Sequence, residues 1–407
     1  MYHATGDRRP NQAQMTSASA AVDRADVVII GAGPAGSLAA FRLARAGARV
    51  ALIDGSHPRE KPCGGGVTGR ALALVADVVD AAGLPSCRIR SARFVDTPTG
   101  RSVAVPLEGD ALIVASRAEF DGRLLDAARQ AGAGLVAARA LDVTRDPGTF
   151  VVRTSAGRVT APLLIGADGV NSLVRRRLAR PFARPELSIA TGFFAHGVTS
   201  DEVVIELAAD PPGYLWSFPR PGHLAVGICA QADEGATAGG LRARTARWIR
   251  DLGLADGERL SPYAWPIPSL SAAGFGSLAV SGPGWFLTGD AAGLVDPITR
   301  EGIYFALRSG ELAARAALSG ESGASHTSYR ERIHDEIATD LALAARYKAG
   351  FFHRRFTRLF IDALRDGTAI RGVMADLVAG RRAYSTLKWS LIRTFKFGLV
   401  WRLITST

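Results

Sequence analysis

The run Asp26-Val27-Val28-Ile29-Ile30-Gly31-Ala32-Gly33-Pro34-Ala35-Gly36 narrows most sharply what this chain can fold into. A second apolar run, Arg49-Val50-Ala51-Leu52-Ile53, ends in Asp54, 23 residues after Gly31. Strand, G-x-G-x-x-G, helix, strand and acid in this order form the dinucleotide fingerprint. Gly31 permits the tight turn, and Gly33 lets backbone N–H groups approach a pyrophosphate. Gly36 lets the helix pack closely on the strand, with Ala35 in the same turn. The positive end of the helix falls on the phosphates. Asp54 is placed to accept hydrogen bonds from ribose hydroxyls.

The 407 residues suffice for two or three cores, and 47% hydrophobic with 21% charged residues is an ordinary globular composition. Three scattered cysteines, Cys63, Cys87 and Cys229, argue against a disulfide framework or a CxxC metal site and fit a reducing cytoplasm. The net charge of +11 is uneven: residues 341–407 hold 13 Lys/Arg against 3 Asp/Glu. The rest is nearly neutral, which speaks against nucleic acid as a partner. Residues 1–24 read as a disordered leader. Arg8-Arg9 lacks the apolar stretch that an export signal requires. No run of 18 apolar residues suggests a membrane span.

The pattern along the chain predicts an α/β fold, with a discontinuous Rossmann-like domain and an inserted β-rich domain. Residues 25–180 and 281–325 are expected to form the first, with 88–116 contributing to the substrate side. Residues 181–280 are expected to form the second, and 326–407 a basic helical region. A helix is expected over 70–82, another over 122–131, and a long one from about 302 to 317. Strands are expected over 88–96, 101–107, 111–116, 135–144 and 149–154. The continuously apolar run at 161–166 reads as a buried parallel strand ending in Ala167-Asp168-Gly169. The strand at 284–288 runs into Gly289-Asp290-Ala291-Ala292-Gly293.

Taken with the fingerprint, Gly166-Ala167-Asp168-Gly169 and Thr288-Gly289-Asp290-Ala291-Ala292 resemble the FAD-dependent oxidoreductases of the aromatic-hydroxylase type. Two further stretches narrow the resemblance. Lys61-Pro62-Cys63-Gly64-Gly65-Gly66 matches the Pro-Cys-Gly-Gly-Gly signature of the geranylgeranyl reductase family. Tyr214-Leu215-Trp216-Ser217-Phe218-Pro219-Arg220 matches its Tyr-x-Trp-x-Phe-Pro-Lys/Arg element. The resemblance covers roughly residues 25–320.

It implies FAD as cofactor, with Asp290 on the ribityl chain and the helix start at Gly302 and Ile303 facing the flavin ring. Arg117, Asp168, Gly169 and Leu141 complete the implied cofactor contacts. Cys63, Gly64 and Gly66 are implied to lie beside the isoalloxazine, and Tyr214 and Trp216 to line the substrate tunnel. Three successive glycines independently allow a planar ring to approach the backbone. Alternation places Tyr214, Trp216 and Phe218 on one face of a strand. The plainer readings are a core face for these aromatics and a small buried filler for Cys63. Two residues depart from the family pattern: Asp54 stands where Glu is common, and Arg300 where Gly is usual.

The reaction implied is saturation of an isoprenoid C=C bond by a hydride and a proton, on a lipid or quinone-type substrate. An isolated alkene cannot hold developing negative charge, so proton delivery needs a positioned acid or ordered water. Cys63 and Tyr214 are the candidate catalytic residues; His196 and His223 read as structural. No second dinucleotide fingerprint occurs, but flavoenzymes of this class can bind nicotinamide without one, so NAD(P)H and reduced ferredoxin are equally compatible external electron donors. The rival readings are an FAD monooxygenase or halogenase of an aromatic or polyketide compound, and a non-catalytic lipid carrier. Residues 381–402 interleave Trp389, Phe395, Phe397 and Trp401 with Lys388, Arg393, Lys396 and Arg402. That mixture suits peripheral contact with an anionic membrane, or a helix packed on the core or a second subunit.

Overall fold

A computed structural model describes residues 24–255, 260–319, 325–381 and 383–386. Residues 1–23, and 382 and 387–402 of the basic stretch, therefore lie outside the described residues. Strand Val27–Ile30 pairs in parallel with Val50–Ile53 on one side and Leu163–Gly166 on the other. All twelve of these residues except Leu163 are buried, as a continuously apolar strand covered on both faces requires. Gly134–Val136 and Trp285–Leu287 extend this sheet in parallel, and Ser281–Gly282 closes one edge as a sixth, antiparallel strand. Helix Pro34–Arg45 packs against Ile303–Leu318 and Arg117–Gln130. Gly310 and Ala35 touch because a Cβ on Gly310 would lie 2.3 Å from the Ala35 carbonyl oxygen.

A seven-stranded sheet lies beside this layer, in the order Leu260–Pro268, Leu187–His196, His223–Gln231, Pro212–Arg220, Glu202–Ala209, Ser91–Asp96, Arg101–Pro106. The last two strands come from far upstream, and Ser91–Asp96 joins Glu202–Ala209 in parallel register. Helices Thr339–Phe351, Arg354–Asp366 and Thr368–Val378 then cover one face of its far end. Their buried residues Phe360, Leu364, Met374 and Leu377 share a core with Phe94, Val103 and Val105. Among the described residues no helix is long and apolar enough to cross a membrane.

The elements depart from expectation at three places. The helix expected over 70–82 ends at Leu74. Val75, Val78 and Val79 are branched at Cβ, and the Asp80 carboxylate accepts from the Ala82 and Gly83 N–H groups, which favours turns. The strand expected over 135–144 is two strands, Gly134–Val136 and Ala140–Asp146, in different sheets. The helix expected from residue 122 begins at Arg117. Ser116 caps it, with its hydroxyl accepting from the Ala118 and Glu119 N–H groups (3.2 and 3.4 Å). Ser116-x-x-Glu119 is the local start signal that marks this end.

Candidate functional site

The carboxyl ends of the parallel strands open onto one cavity of about 660 Å³. Its floor is built from backbone. Gly31 turns with φ of +102°, and a Cβ there would lie 2.3 Å from the Ala167 carbonyl oxygen. A Cβ on Gly33 would meet only the His57 ring, at 3.8 Å, and Gly33 lines the cavity with little around it. Two helix starts point into this space, Pro34–Arg45 and Ile303–Leu318. Neither has a side-chain cap or an acid in its first turn. Their free N–H groups and positive ends leave an anion's place unfilled.

Asp54 stands at the end of its strand and accepts from the Ala32 N–H (2.8 Å), the Ser56 N–H and the His57 ring (Nδ1, 2.8 Å). Burial raises this carboxyl, but the imidazole and the backbone donors outweigh it and hold it below the usual carboxylate range. The other His57 nitrogen lies 3.6 Å from Asp121, which is fully buried and doubly bonded to Arg117 (2.9 and 2.8 Å). Burial alone would lower the imidazole, yet Asp121 and Asp54 together raise it. Arg117 and Asp121 meet because they are four apart on the helix that Ser116 starts.

Asp168 spends one carboxylate oxygen on the N–H groups of Leu173 and Val174 (2.6 and 3.3 Å). The other oxygen is buried without a partner beside the cavity, and burial raises the group. Asp290 holds the Lys61 ammonium at 2.8 Å. These features fit FAD: an orphaned carboxylate oxygen, an open glycine turn and two uncapped helix ends surround one space. Gly31, Gly33, Ala35, Asp54, Arg117, Asp168, Gly169, Asp290, Gly302 and Ile303 all line it. Gly36 does not; its role is packing, since a Cβ there would lie 1.9 Å from the Gly31 carbonyl oxygen. Leu141 does not either. It is 41% exposed, and the break between strands brings Ala138, Arg139 and Ala140 to the cavity instead.

The Cys63 loop forms the middle of the cavity. The Cys63 Sγ accepts from the Gly65 N–H at 3.3 Å. Phe218 packs on the loop: a Cβ on Gly64 or Gly66 would lie 3.1 Å from its ring. Arg220, fully buried, donates to the carbonyl oxygens of Cys63 and Gly64 and pairs with Glu60, so the last residue of the aromatic strand clamps the glycine loop. Register across the seven-stranded sheet aligns Trp265, Ala190, Cys229, Tyr214 and Leu207 in one row and Gly227, Trp216, Ile205 and Phe94 in the next. This face is the cavity's ceiling. Gly227 leaves room for the Trp216 indole, 2.5 Å from where its Cβ would be. The Tyr214 hydroxyl donates to the Thr299 carbonyl (2.7 Å), and burial raises its pKa well above the ordinary phenol value.

Beyond the aromatics the cavity becomes an apolar arm, bounded by Phe94, Leu112, Ile205 and Leu207 and roofed by Phe351, Met374, Leu377 and Val378. The roof residues lie in the region where no motif was recognised. His57 and the roof were both missed in the sequence. An imidazole three residues after the ribose-type acid was the available signal for the first. Nothing local marked the second. His196 and His223 stack on each other away from this space, at 5.6 Å between rings. No group of three or more His, Cys, Asp or Glu arranged to hold a metal occurs among the described residues.

Residues 24–211 match the family model described as an FAD binding domain. The menaquinone reductase of Mycolicibacterium smegmatis is 32% identical over 342 residues, covering 79% of this chain and 83% of that one. The geranylgeranyl diphosphate reductase of Rhodobacter capsulatus is 33% identical over 306 residues, covering 72% and 75%. A geranylgeranyl bacteriochlorophyll reductase-like crystal structure from Thermoplasma acidophilum superposes with a TM-score of 0.74. It covers 92% of this chain and 100% of that one at 24% identity, a likeness of fold. With the cradle, the Cys-Gly-Gly-Gly loop and the aromatic ceiling in one cavity, this chain belongs to the geranylgeranyl reductase family of FAD-dependent oxidoreductases.

Proposed function

We propose that this protein reduces C=C bonds in the isoprenoid chain of a lipid or quinone-type substrate. The observation that carries the reading is continuity. One cavity joins a nucleotide cradle, a loop of three glycines and an apolar arm shaped for an extended chain. FAD, when bound, supplies the hydride, and an external donor, NAD(P)H or reduced ferredoxin, supplies the electrons. The chain's own contribution is to hold the alkene in a dry arm and to bring a proton to the second carbon. The Tyr214 proton is committed to the Thr299 carbonyl, so this residue shapes the wall. Cys63 accepts a hydrogen bond at sulfur, and among the described residues no acceptor takes its own proton. We therefore assign proton delivery to Cys63, and to Arg220 and Phe218 the positioning of its loop. The protein works in the cytoplasm, with residues 381–402 touching an anionic membrane from which the substrate is drawn.

The test is anaerobic. Chemically reduced holoprotein is mixed with a geranylgeranyl lipid, flavin absorbance is followed, and product mass is read. Substrate-dependent recovery of the oxidised spectrum with a gain of two hydrogens per event is expected. Cys63→Ala should keep bound flavin and slow that recovery about 10²-fold or more; an unchanged rate removes Cys63 from the chemistry. Oxygen-dependent, substrate-stimulated NADPH consumption with no saturated product would instead establish a monooxygenase or halogenase. Mixing with NADPH, NADH and reduced ferredoxin in turn identifies the donor. Liposome sedimentation with and without residues 381–407 tests the membrane contact, and equal binding by both forms removes it.

A further inference from the structure

Arg300 is the one non-glycine residue with positive φ (+61°) among those described, at the position where the family pattern has glycine. An L-residue held there is strained, and the strain points to use of the side chain. The loop is tight: the Asp296 N–H donates to the Glu301 carbonyl and the Arg300 N–H to the Asp296 carbonyl, both at 3.0 Å. Arg300 Nη1 donates to the Ser269 hydroxyl at 2.6 Å, while Nε and Nη2 are buried with no partner. The same hydroxyl takes a second cation, the Lys348 ammonium at 3.0 Å, which also donates to the Gln231 side-chain oxygen.

Two cations thus converge on one oxygen without a neutralising acid. Glu301 is occupied by Arg70 and Thr68. Asp296 is occupied by the N–H groups of Ile298 and Thr299 and by the Tyr384 hydroxyl. Asp233 and Glu234 act on Lys348 only through longer-range attraction, and neither forms an ion pair with it. Burial, with Arg300 beside it, depresses the Lys348 ammonium to about 8. Like charges gathered in a partly desolvated place are unfavourable until an anion joins them.

Arg300 lines the cavity beside Tyr214 and Cys229. Ser188 and Gln231 form the next row of the same sheet beyond Cys229, with Ile267 on the edge strand, and Ser269, just past that strand's end, donates its hydroxyl to the Gln231 side-chain oxygen (2.9 Å). Of these groups Arg300 reaches the cavity wall, with Lys348 behind it on the shared Ser269 hydroxyl, and the ceiling continues past the aromatics to the apolar arm. Resting on the isoprenoid-reductase reading, we infer that Arg300, with the Lys348 charge behind it, binds a phosphate-ester head group at the polar end of the substrate. The planar guanidinium supplies a forked pair of donors and the ammonium a point charge, the combination suited to phosphate or diphosphate oxygens.

Geranylgeranyl diphosphate and geranylgeraniol share the chain and differ only in this group. Their affinities for holoprotein, read by tryptophan fluorescence and calorimetry, should favour the diphosphate at least 10-fold. Arg300→Gly restores the family residue and relieves the positive φ, so it should fold, and it should collapse that ratio toward one. Lys348→Met should reduce the ratio by a smaller factor. A ratio unchanged in both variants, or near one in the wild type, overturns the inference. So does inorganic pyrophosphate binding as tightly as the lipid diphosphate, since the site would then take a free anion. Product mass is scored separately. Absent saturation with an Arg300-dependent ratio sinks the reductase reading and keeps the head-group site; saturation without such a ratio does the reverse.

Discussion

The cradle around Gly31 and the apolar arm beneath Met374 and Leu377 line the same cavity but are built from opposite materials. In the cradle the contacts come from backbone N–H groups, glycine clearances and two carboxylates, Asp54 and Asp168. In the arm they come from side chains on five separate elements, among them strands Ser91–Asp96 and Glu202–Ala209 and helices Thr339–Phe351 and Thr368–Val378. Backbone geometry tolerates few residue types, whereas an apolar wall accepts many combinations of suitable volume. One region fixes what is bound at the pyrophosphate; the other is free to fit different chains.

The comparison breaks most sharply at Gly31. Gly31→Ala puts a methyl group 2.3 Å from a carbonyl oxygen at a positive φ. It should cost at least about 3 kcal/mol and leave soluble protein, where any is recovered, without yellow colour. Yellow protein of wild-type stability would show that the cradle is as forgiving as the arm. Arg220→Met comes next. It strips the buried clamp from the carbonyls of Cys63 and Gly64 and leaves Glu60 without its ion-pair partner. A stability loss of about 3 kcal/mol is expected in thermal unfolding, with kcat falling more than KM rises. A KM effect alone would reduce Arg220 to a packing residue.

Leu377→Ala probes the arm. It should cost about 2 kcal/mol and weaken lipid binding several-fold, while the flavin spectrum stays that of the wild type. A changed spectrum would show that the two regions are coupled. The smallest effect is at His57. Its imidazole is raised in the fold by Asp121 and Asp54, so its contribution is complete below the ordinary value near 6.5. That contribution is lost as pH climbs through the folded value. Unfolding free energy should therefore decline above neutrality by no more than about 1.4 kcal/mol per pH unit. His57→Gln should flatten the decline, and parallel pH curves for the two proteins would remove the pair from the account.

The same contrast governs what could be read in advance. Gly31, Gly33 and Asp54 announce themselves because turn, clearance and strand end each demand a specific residue at a specific spacing, whereas Asp168, Asp290 and Gly302 are legible through the resemblance to a family pattern. Tyr214, Trp216 and Phe218 were legible as one face of a strand through alternation, and register puts Trp216 and Tyr214 in the ceiling rows. Leu141 failed because a strand break at 137–139 shifted the cavity-facing residues upstream. The roof was invisible for another reason. Met374, Leu377 and Val378 have the spacing of any buried helix face, and only the fold shows which space they close.

The order of the chain has a consequence for how this cavity comes into being. Every residue of the cradle lies before position 307, whereas the roof follows it, from Phe351 to Val378. During synthesis a polypeptide can therefore gain a nucleotide seat while Phe94, Ile205 and Leu207 still face water, awaiting helices not yet made. Early termination within that late segment would yield a coloured protein with an open, sticky flank, prone to clump before it could ever hold a substrate.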